Sequence, residues 1–274
     1  MATATVPRKS PRLSKSAREL ANWYDYPQYF DMVFRDETAA EIDFFLAAFD
    51  SLVDGPVRRV LEPGCGSGRL VTAMAKLGYD VTGIDLSAPS LAYLGRKLRR
   101  RGLTATLQQS DFTRIEPTTP YDAAFCTFNT FRHLTDEAAA VAHLRAVAAN
   151  LRPGGIYILG LHIIPLDADK QCIERWKARH GVTTVNVTLR VIDFNRRKRL
   201  EQIDVLLTAK TPTKTIRCRT RFPLRLYTTS QLLATLQRVP ELEIAGVYDF
   251  DYDLDSPRQL DDDLIDSVFV LRRV

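Results

Sequence analysis

The stretch 58–70, Arg58-Arg59-Val60-Leu61-Glu62-Pro63-Gly64-Cys65-Gly66-Ser67-Gly68-Arg69-Leu70, decides the fold. An apolar-leaning run enters Glu62 and Pro63, three glycines then alternate with other residues, and a helical pattern opens at Arg69. The order is strand, ligand-binding turn, helix. Glycine at 64 and 66 permits a positive φ and lets the backbone approach a ligand, while Gly68 lets the next helix pack close to the strand. A ligand containing adenosine suits such a loop. Spacing separates the candidates, because the dinucleotide fingerprint G-x-G-x-x-G requires glycine at position 69 to seat a pyrophosphate. That position holds Arg69.

Two further stretches keep register with the first. Residues 79–86, YDVTGIDL, read as a short apolar strand ending at Asp85 and Leu86. Asp85 falls 17 residues after Gly68 (85 minus 68), where a carboxylate can accept both hydroxyls of a ribose. Residues 105–112, ATLQQSDF, end in Asp111 and Phe112. Glu62-Pro63-Gly64-Cys65-Gly66-Ser67-Gly68 has the form [DE]-x-G-x-G-x-G, and here the chain resembles the class I S-adenosylmethionine-dependent methyltransferases. The resemblance spans roughly residues 57–164 by motif and 226–274 by layout alone. It implies an α/β, Rossmann-like sheet of seven strands with S-adenosylmethionine as cofactor. The implied cofactor set is Glu62, Gly64, Gly66, Gly68, Asp85, Leu86, Asp111, Phe112 and Phe128, with Asp111 at the adenine amino group. Members that methylate planar exocyclic amines typically carry an Asn/Asp-Pro-Pro-aromatic turn after the fourth strand. This chain has Phe128-Asn129-Thr130-Phe131 there, which disfavours that group.

Composition bounds the rest. With 274 residues, 45% hydrophobic and 26% charged, the chain is of ordinary globular make-up, and one domain with an insertion is expected. The formal charge of +5 is unevenly spread. Cys65, Cys126, Cys172 and Cys218 are isolated, so neither a disulfide framework nor a metal site is indicated, and a reducing, cytoplasmic setting is expected. No apolar run approaches ~18 residues, so no membrane association is expected. Residues 1–18 carry five basic residues and no acid among Ser, Thr, Ala and Pro, and read as a disordered tail preceding a methyltransferase domain over 19–274. A transit peptide or a nucleic-acid contact is an alternative use of that tail.

Residues 19–34 bring Trp23, Tyr24, Tyr26, Tyr29 and Phe30 close together. In many relatives of the family a similar segment closes over cofactor and substrate; plain packing on the sheet edge is the other reading. The basic end of the helix over 87–101 suits the helix dipole as a solvated face. After the apolar fifth strand (156–164) the βα rhythm breaks. Residues 182–192, 200–209 and 215–222 alternate with period two and predict a three-stranded antiparallel lid within an insertion at 167–226. Residues 187–225 hold eleven Arg or Lys against three acids, and residues 249–263 hold seven Asp against one Arg, so two oppositely charged covers facing one pocket are expected. Arg217, Arg219 and Arg221 share one face of the last lid strand, which also suits edge protection.

Methyl transfer asks for alignment and exclusion of water more than for side-chain chemistry, and for a base only where the acceptor is protonated. His133 and Tyr29 are the candidate catalytic residues, with His162 on the fifth strand in reserve. The leading expectation is a methyltransferase acting on N or O of a small molecule. An RNA methyltransferase using the tail and arginine stripe, and a cofactor-binding partner protein without catalysis, are the rivals.

Overall fold

The computed structural model describes residues 21–116, 119–165, 168, 172–261 and 264–274. The basic tail expected at 1–18, the start of the insertion at Asp167, and Asp262 and Asp263 of the acidic loop lie outside the described residues.

In chain order the elements are α1 (Pro27–Val33), α2 (Thr38–Leu52), β1 (Arg59–Pro63), α3 (Arg69–Lys76), β2 (Asp80–Asp85), α4 (Ala88–Arg100), β3 (Thr106–Gln109), β4 (Tyr121–Cys126), α5 (Glu137–Asn150), β5 (Leu151–His162), β6 (Ile173–His180), β7 (Thr183–Asn195), β8 (Leu200–Lys210), β9 (Thr215–Arg225), α6 (Thr229–Leu236), β10 (Leu242–Asp249) and β11 (Asp266–Arg273). Seven strands form the main sheet in the order β10-β11-β5-β4-β1-β2-β3. Strand β11 runs antiparallel to both of its neighbours, and the remaining pairings are parallel. The sheet is therefore the one the sequence implied.

The inner strands read as apolar runs because both faces are covered. On one face α5 and α6 pack Leu144, Val147, Leu232 and Leu236 against Tyr157 and Phe269. On the other, α2, α3 and α4 pack Phe45, Met74, Leu94 and Leu98 against Val81, Phe125 and Ile158. Loops run out from the carboxyl ends of the parallel strands, where open α/β sheets hold their ligands.

The insertion is a second sheet of four antiparallel strands, β6-β7-β8-β9, not three. The strand missing from the sequence reading is β6, IERWKARH, an edge strand with Arg175, Lys177 and Arg179 on its outer side and Glu174, Trp176 and Ala178 on its inner side. Pairing with β7, more than an apolar face of its own, makes it a strand. The inner face of this sheet (Val185, Val187, Val205, Leu207, Cys218) buries Trp23, Tyr29 and Phe34, so the N-terminal aromatics pack under the lid and not on the edge of the main sheet. The backbones are tied as well: Trp23 N–H donates to Thr220 Oγ1 (2.9 Å) and Arg219 N–H to the Ala21 carbonyl (3.1 Å). Period-two geometry sends Arg217, Arg219 and Arg221 to the opposite face. There the buried carboxylate of Asp204 binds Arg190 (3.2 Å), Arg219 (2.7 Å) and Arg221 (3.0 Å). The expected pair of facing covers is corrected accordingly, since the arginine stripe looks outward. In the acidic loop Asp249 pairs with its own Arg258 at 2.6 Å.

Candidate functional site

The glycine loop is pinned from two sides. Gly64 and Cys65 N–H both donate to the Ile84 carbonyl on β2 (2.7 and 2.9 Å). Gly64, Gly66 and Gly68 all have positive φ. The three glycines differ in what surrounds them. A Cβ on Gly68 would stand 2.2 Å from Leu94 Cδ1, and one on Gly64 would stand 2.3 Å from Thr130 Cγ2, whereas one on Gly66 would meet nothing within 4 Å. Gly68 thus serves packing, and Gly66 borders open space.

Asp85, at the end of β2, faces that space with both oxygens already oriented. Its Oδ2 accepts Gly66 N–H and its Oδ1 accepts Ser87 N–H, each at 2.7 Å. Burial raises its pKa, and the two backbone N–H groups oppose that shift. Beside it Leu86 is 62% exposed, an apolar side chain left uncovered next to an acid. Tyr24 of the aromatic segment comes close enough to feel the Asp85 charge, although burial is the main cause that pushes its hydroxyl up to about 12. Asp111 lies exposed just past β3 and caps its own turn through Thr113 N–H (2.8 Å). Phe112 is buried against His143. Glu62, enclosed beneath the loop, accepts Val71 N–H at 3.0 Å, and burial pushes its carboxyl up to about 8.

Phe128 and Asn129, which follow β4, both adopt the left-handed conformation with φ of 63°, a costly choice for residues other than glycine. The turn delivers Phe128 under the Arg69 guanidinium (4.8 Å) and against Phe34 (5.0 Å). Arg69 binds the fully buried Glu41, whose other oxygen accepts Thr127 Oγ1 (2.6 Å). The sequence reading passed over this Glu41–Arg69 link. Its one signal was a glutamate at 41 inside the apolar face of α2.

Of the catalytic candidates, His133 is exposed and its ring packs on Phe222 of the lid (5.1 Å). Tyr29 is buried and stacked on Tyr26 (6.0 Å). His162 has the most defined surroundings. Asn129 Oδ1 accepts the His162 backbone N–H (2.8 Å) and Arg132 Nη1 (3.3 Å), so its Nδ2 must donate to His162 Nδ1 (3.2 Å). That leaves the ring proton on Nε2, directed at Asp266 Oδ1 (3.2 Å). Lys97, expected on a solvated face, instead pairs with the buried Asp31 of α1 at 2.7 Å and fastens α1 to α4. Among the described residues no cluster of His, Cys, Asp and Glu is arranged to hold a metal, and no helix is long and apolar enough to cross a membrane.

Residues 60–155 match the family model described as a methyltransferase domain. Over 102 residues the chain is 34% identical to a cypemycin N-terminal methyltransferase from Streptomyces sp., covering 37% of this chain and 41% of the relative. Over 113 residues it is 34% identical to a ubiquinone biosynthesis O-methyltransferase from Methylococcus capsulatus, covering 40% and 45%. The chain thus spans less than half the length of the curated relatives it matches. Among solved structures, DesVI of Streptomyces venezuelae superposes with a TM-score of 0.74 at 17% identity, over 91% of this chain and 97% of that one. The sugar N-methyltransferase KedS8 from Streptoalloteichus sp. gives 0.69 at 19%, over 100% and 98%. Residues 60–155 thus match a methyltransferase domain, and most of the chain shares the fold of a solved S-adenosylmethionine-dependent methyltransferase from Clostridium acetobutylicum, with the second sheet as an elaboration. The site fits that cofactor: unobstructed backbone at Gly66, an oriented carboxylate at Asp85 and bare apolar surface at Leu86.

Proposed function

We propose that the chain transfers a methyl group from S-adenosylmethionine to a nitrogen or oxygen of a small-molecule acceptor, in the cytoplasm. The observation that carries this reading is the Asp85–Gly66 contact, which holds a ribose-accepting carboxylate against an open glycine loop. Bound there, the cofactor supplies an electrophilic methyl group on a sulfonium. The chain's own residues bind, orient and enclose. Gly64 and Gly66 offer backbone, Asp85 accepts the ribose hydroxyls, and Leu86 covers an adenine face. The aromatic segment and the second sheet, joined through Trp23 and Thr220, form one cover beside the strand ends, suited to excluding water. Burial, then the charge of Arg132, pushes the His162 pKa down to about 4, so the ring is neutral at pH 7. With Nδ1 occupied by Asn129 and the Nε2 proton directed at Asp266, His162 orients that carboxylate, which would take the proton from an acceptor ammonium.

Support for an N- or O-acceptor comes from the likeness to relatives named as N- and O-methyltransferases. The rival RNA reading draws on one observation, the outward basic face of the second sheet, where Arg175, Lys177 and Arg179 of β6 join the β9 arginines. Calorimetry with S-adenosylmethionine, followed by mass spectrometry of ligand retained by the purified protein, tests the proposal. Micromolar cofactor binding with a retained small molecule supports it. Absence of cofactor binding sinks it, and a strongly salt-dependent RNA affinity with RNA methylation transfers it to the rival.

A further inference from the structure

Where the second sheet joins the main one, a recess of about 70 Å³ lies between the β7–β8 turn and the start of α6. It is lined by Arg196, Arg199, Tyr227, Thr228 and Gln231. Its position is on the ligand rim, since Ile164 N–H, just past β5, donates to the Tyr227 carbonyl (2.7 Å).

The recess is short of acceptors. Among the described residues, five buried side-chain atoms have no hydrogen-bond partner, and three of them fall in this one cluster: Arg199 Nη2, Arg225 Nε and Tyr227 Oη. Tyr227 itself is fully buried. Arginine is donor-only and buried polar atoms are normally satisfied, so three unsatisfied groups together call for an acceptor that the described residues do not supply. The charges agree. Arg132 pairs with Glu201, and Arg199, Arg225 and Arg238 share the single carboxylate of Glu137 (3.4, 2.6 and 3.9 Å). Arg196 donates to the Pro165 carbonyl. Among the described residues, five guanidinium groups thus stand against two carboxylates. Two of them flank the Tyr227 ring, Arg199 at 5.2 Å and Arg225 at 5.4 Å. Arg199 is held there in a left-handed conformation (φ 55°) that a non-glycine residue adopts at a cost. At the first turn of α6 the Thr229 and Ser230 N–H groups are left without partners inside the helix, while Thr228 and Gln231, which line the recess, cap each other.

We propose that this recess binds an oxyanion, a phosphate or phosphate monoester, through Arg199, Tyr227 and the start of α6. Arg132 links it to the methyl-transfer cleft, because the same guanidinium donates to Asn129, the residue that orients His162. If the phosphate is part of the acceptor, which rests on the methyltransferase reading above, the recess anchors one end while the reacting atom lies near Asn129. A free phosphate ion would use the same donors.

Calorimetric titration with inorganic phosphate, at ionic strength balanced with chloride, tests the site without any methyl transfer. Saturable binding at one site per chain is expected. It should weaken at least tenfold in Arg199→Gln and severalfold in Tyr227→Phe, an isosteric change that keeps the ring packing. Phosphoethanolamine binding more tightly than phosphate, with ethanolamine inert, assigns the group to an organic acceptor. Phosphate alone binding assigns it to the free ion. Heats no larger than chloride gives, or both variants binding as the parent does, overturn the proposal. S-adenosylmethionine titrated into the same samples reports on the cofactor site separately, so loss of one reading leaves the other measurable.

Discussion

The carboxylate of Asp85 joins the second strand to the glycine loop: its Oδ2 accepts the Gly66 N–H at 2.7 Å while Oδ1 holds Ser87 at the start of α4. The side chain that would grip a ribose therefore also sets the shape of the loop. Asp85→Ala removes both functions and should weaken S-adenosylmethionine by roughly 2–4 kcal/mol. Asp85→Asn keeps one oxygen acceptor and should cost less. Calorimetry on the two folded variants checks this, and equal, negligible losses would leave Asp85 as a helix cap only.

Gly66 and Gly68 should fail in different ways. At Gly68 the added carbon meets Leu94 at 2.2 Å, so Gly68→Ala should lower stability by roughly 1–3 kcal/mol through overpacking and backbone strain. At Gly66 the added atoms meet no neighbour, so the cost to the fold is the strain of a β-branched residue at φ 52° without a clash, and Gly66→Val should abolish cofactor binding in a weakened but folded protein. Melting curves and calorimetry read side by side separate the two. A Gly66→Val protein that still binds the cofactor would contradict the site.

Glu62 makes stability depend on pH. Its folded pKa is raised to about 8 by burial, so the folded state holds a proton that the unfolded state releases near the ordinary 4.5. The sign follows: its contribution is complete below about pH 4.5 and is lost as the pH climbs through about 8, by at most about 1.4 kcal/mol per pH unit. Glu62→Gln keeps an oxygen for Val71 N–H and cannot ionise. Its stability relative to the parent should rise across that window in urea titrations at stepped pH. A constant difference between the two proteins would show that Glu62 keeps an ordinary pKa.

Thr220 couples the aromatic segment to the second sheet, accepting Trp23 N–H (2.9 Å) and donating to Asn22 Oδ1 (2.9 Å). Thr220→Val leaves the Trp23 amide, buried, without a partner, at a cost of roughly 1–3 kcal/mol. Hydrogen exchange should quicken over residues 23–34 and in β9, while β1, β4 and β5 keep their protection. Uniform acceleration throughout would mean that the cover and the main sheet open as one unit.

The main sheet was legible because its signals are local: Gly64, Gly66 and Gly68 carry positive φ within one turn, and Asp85 ends a strand of visible apolar character. What escaped depends on contacts distant in sequence. Strand β6 has little apolar face and is recruited by β7. Glu41 is ordinary until Arg69, 28 residues on, is folded against it. The direction of the arginine stripe was fixed by which face of β9 the aromatics at Trp23 and Tyr29 would occupy, and composition does not encode that. The recess at Arg199 and Tyr227 is assembled from β5's exit, the β7–β8 turn, the end of β9 and the start of α6, so no single stretch announces it.

Strand β11, the last in the sequence, lies inside the main sheet, between β5 and β10, with Val268–Leu271 wholly buried. Until those residues leave the ribosome, β10 has no neighbour to pair with, and β5 presents an open apolar edge throughout the synthesis of the second sheet. The nascent chain must therefore carry a half-finished, sticky sheet for the time it takes to translate more than a hundred residues, from the end of β5 at His162 to the start of β11 at Asp266. Such an edge recruits stray strands. Yield in a cell should depend on chaperone supply and translation speed more steeply than the equilibrium stability of the finished molecule would suggest.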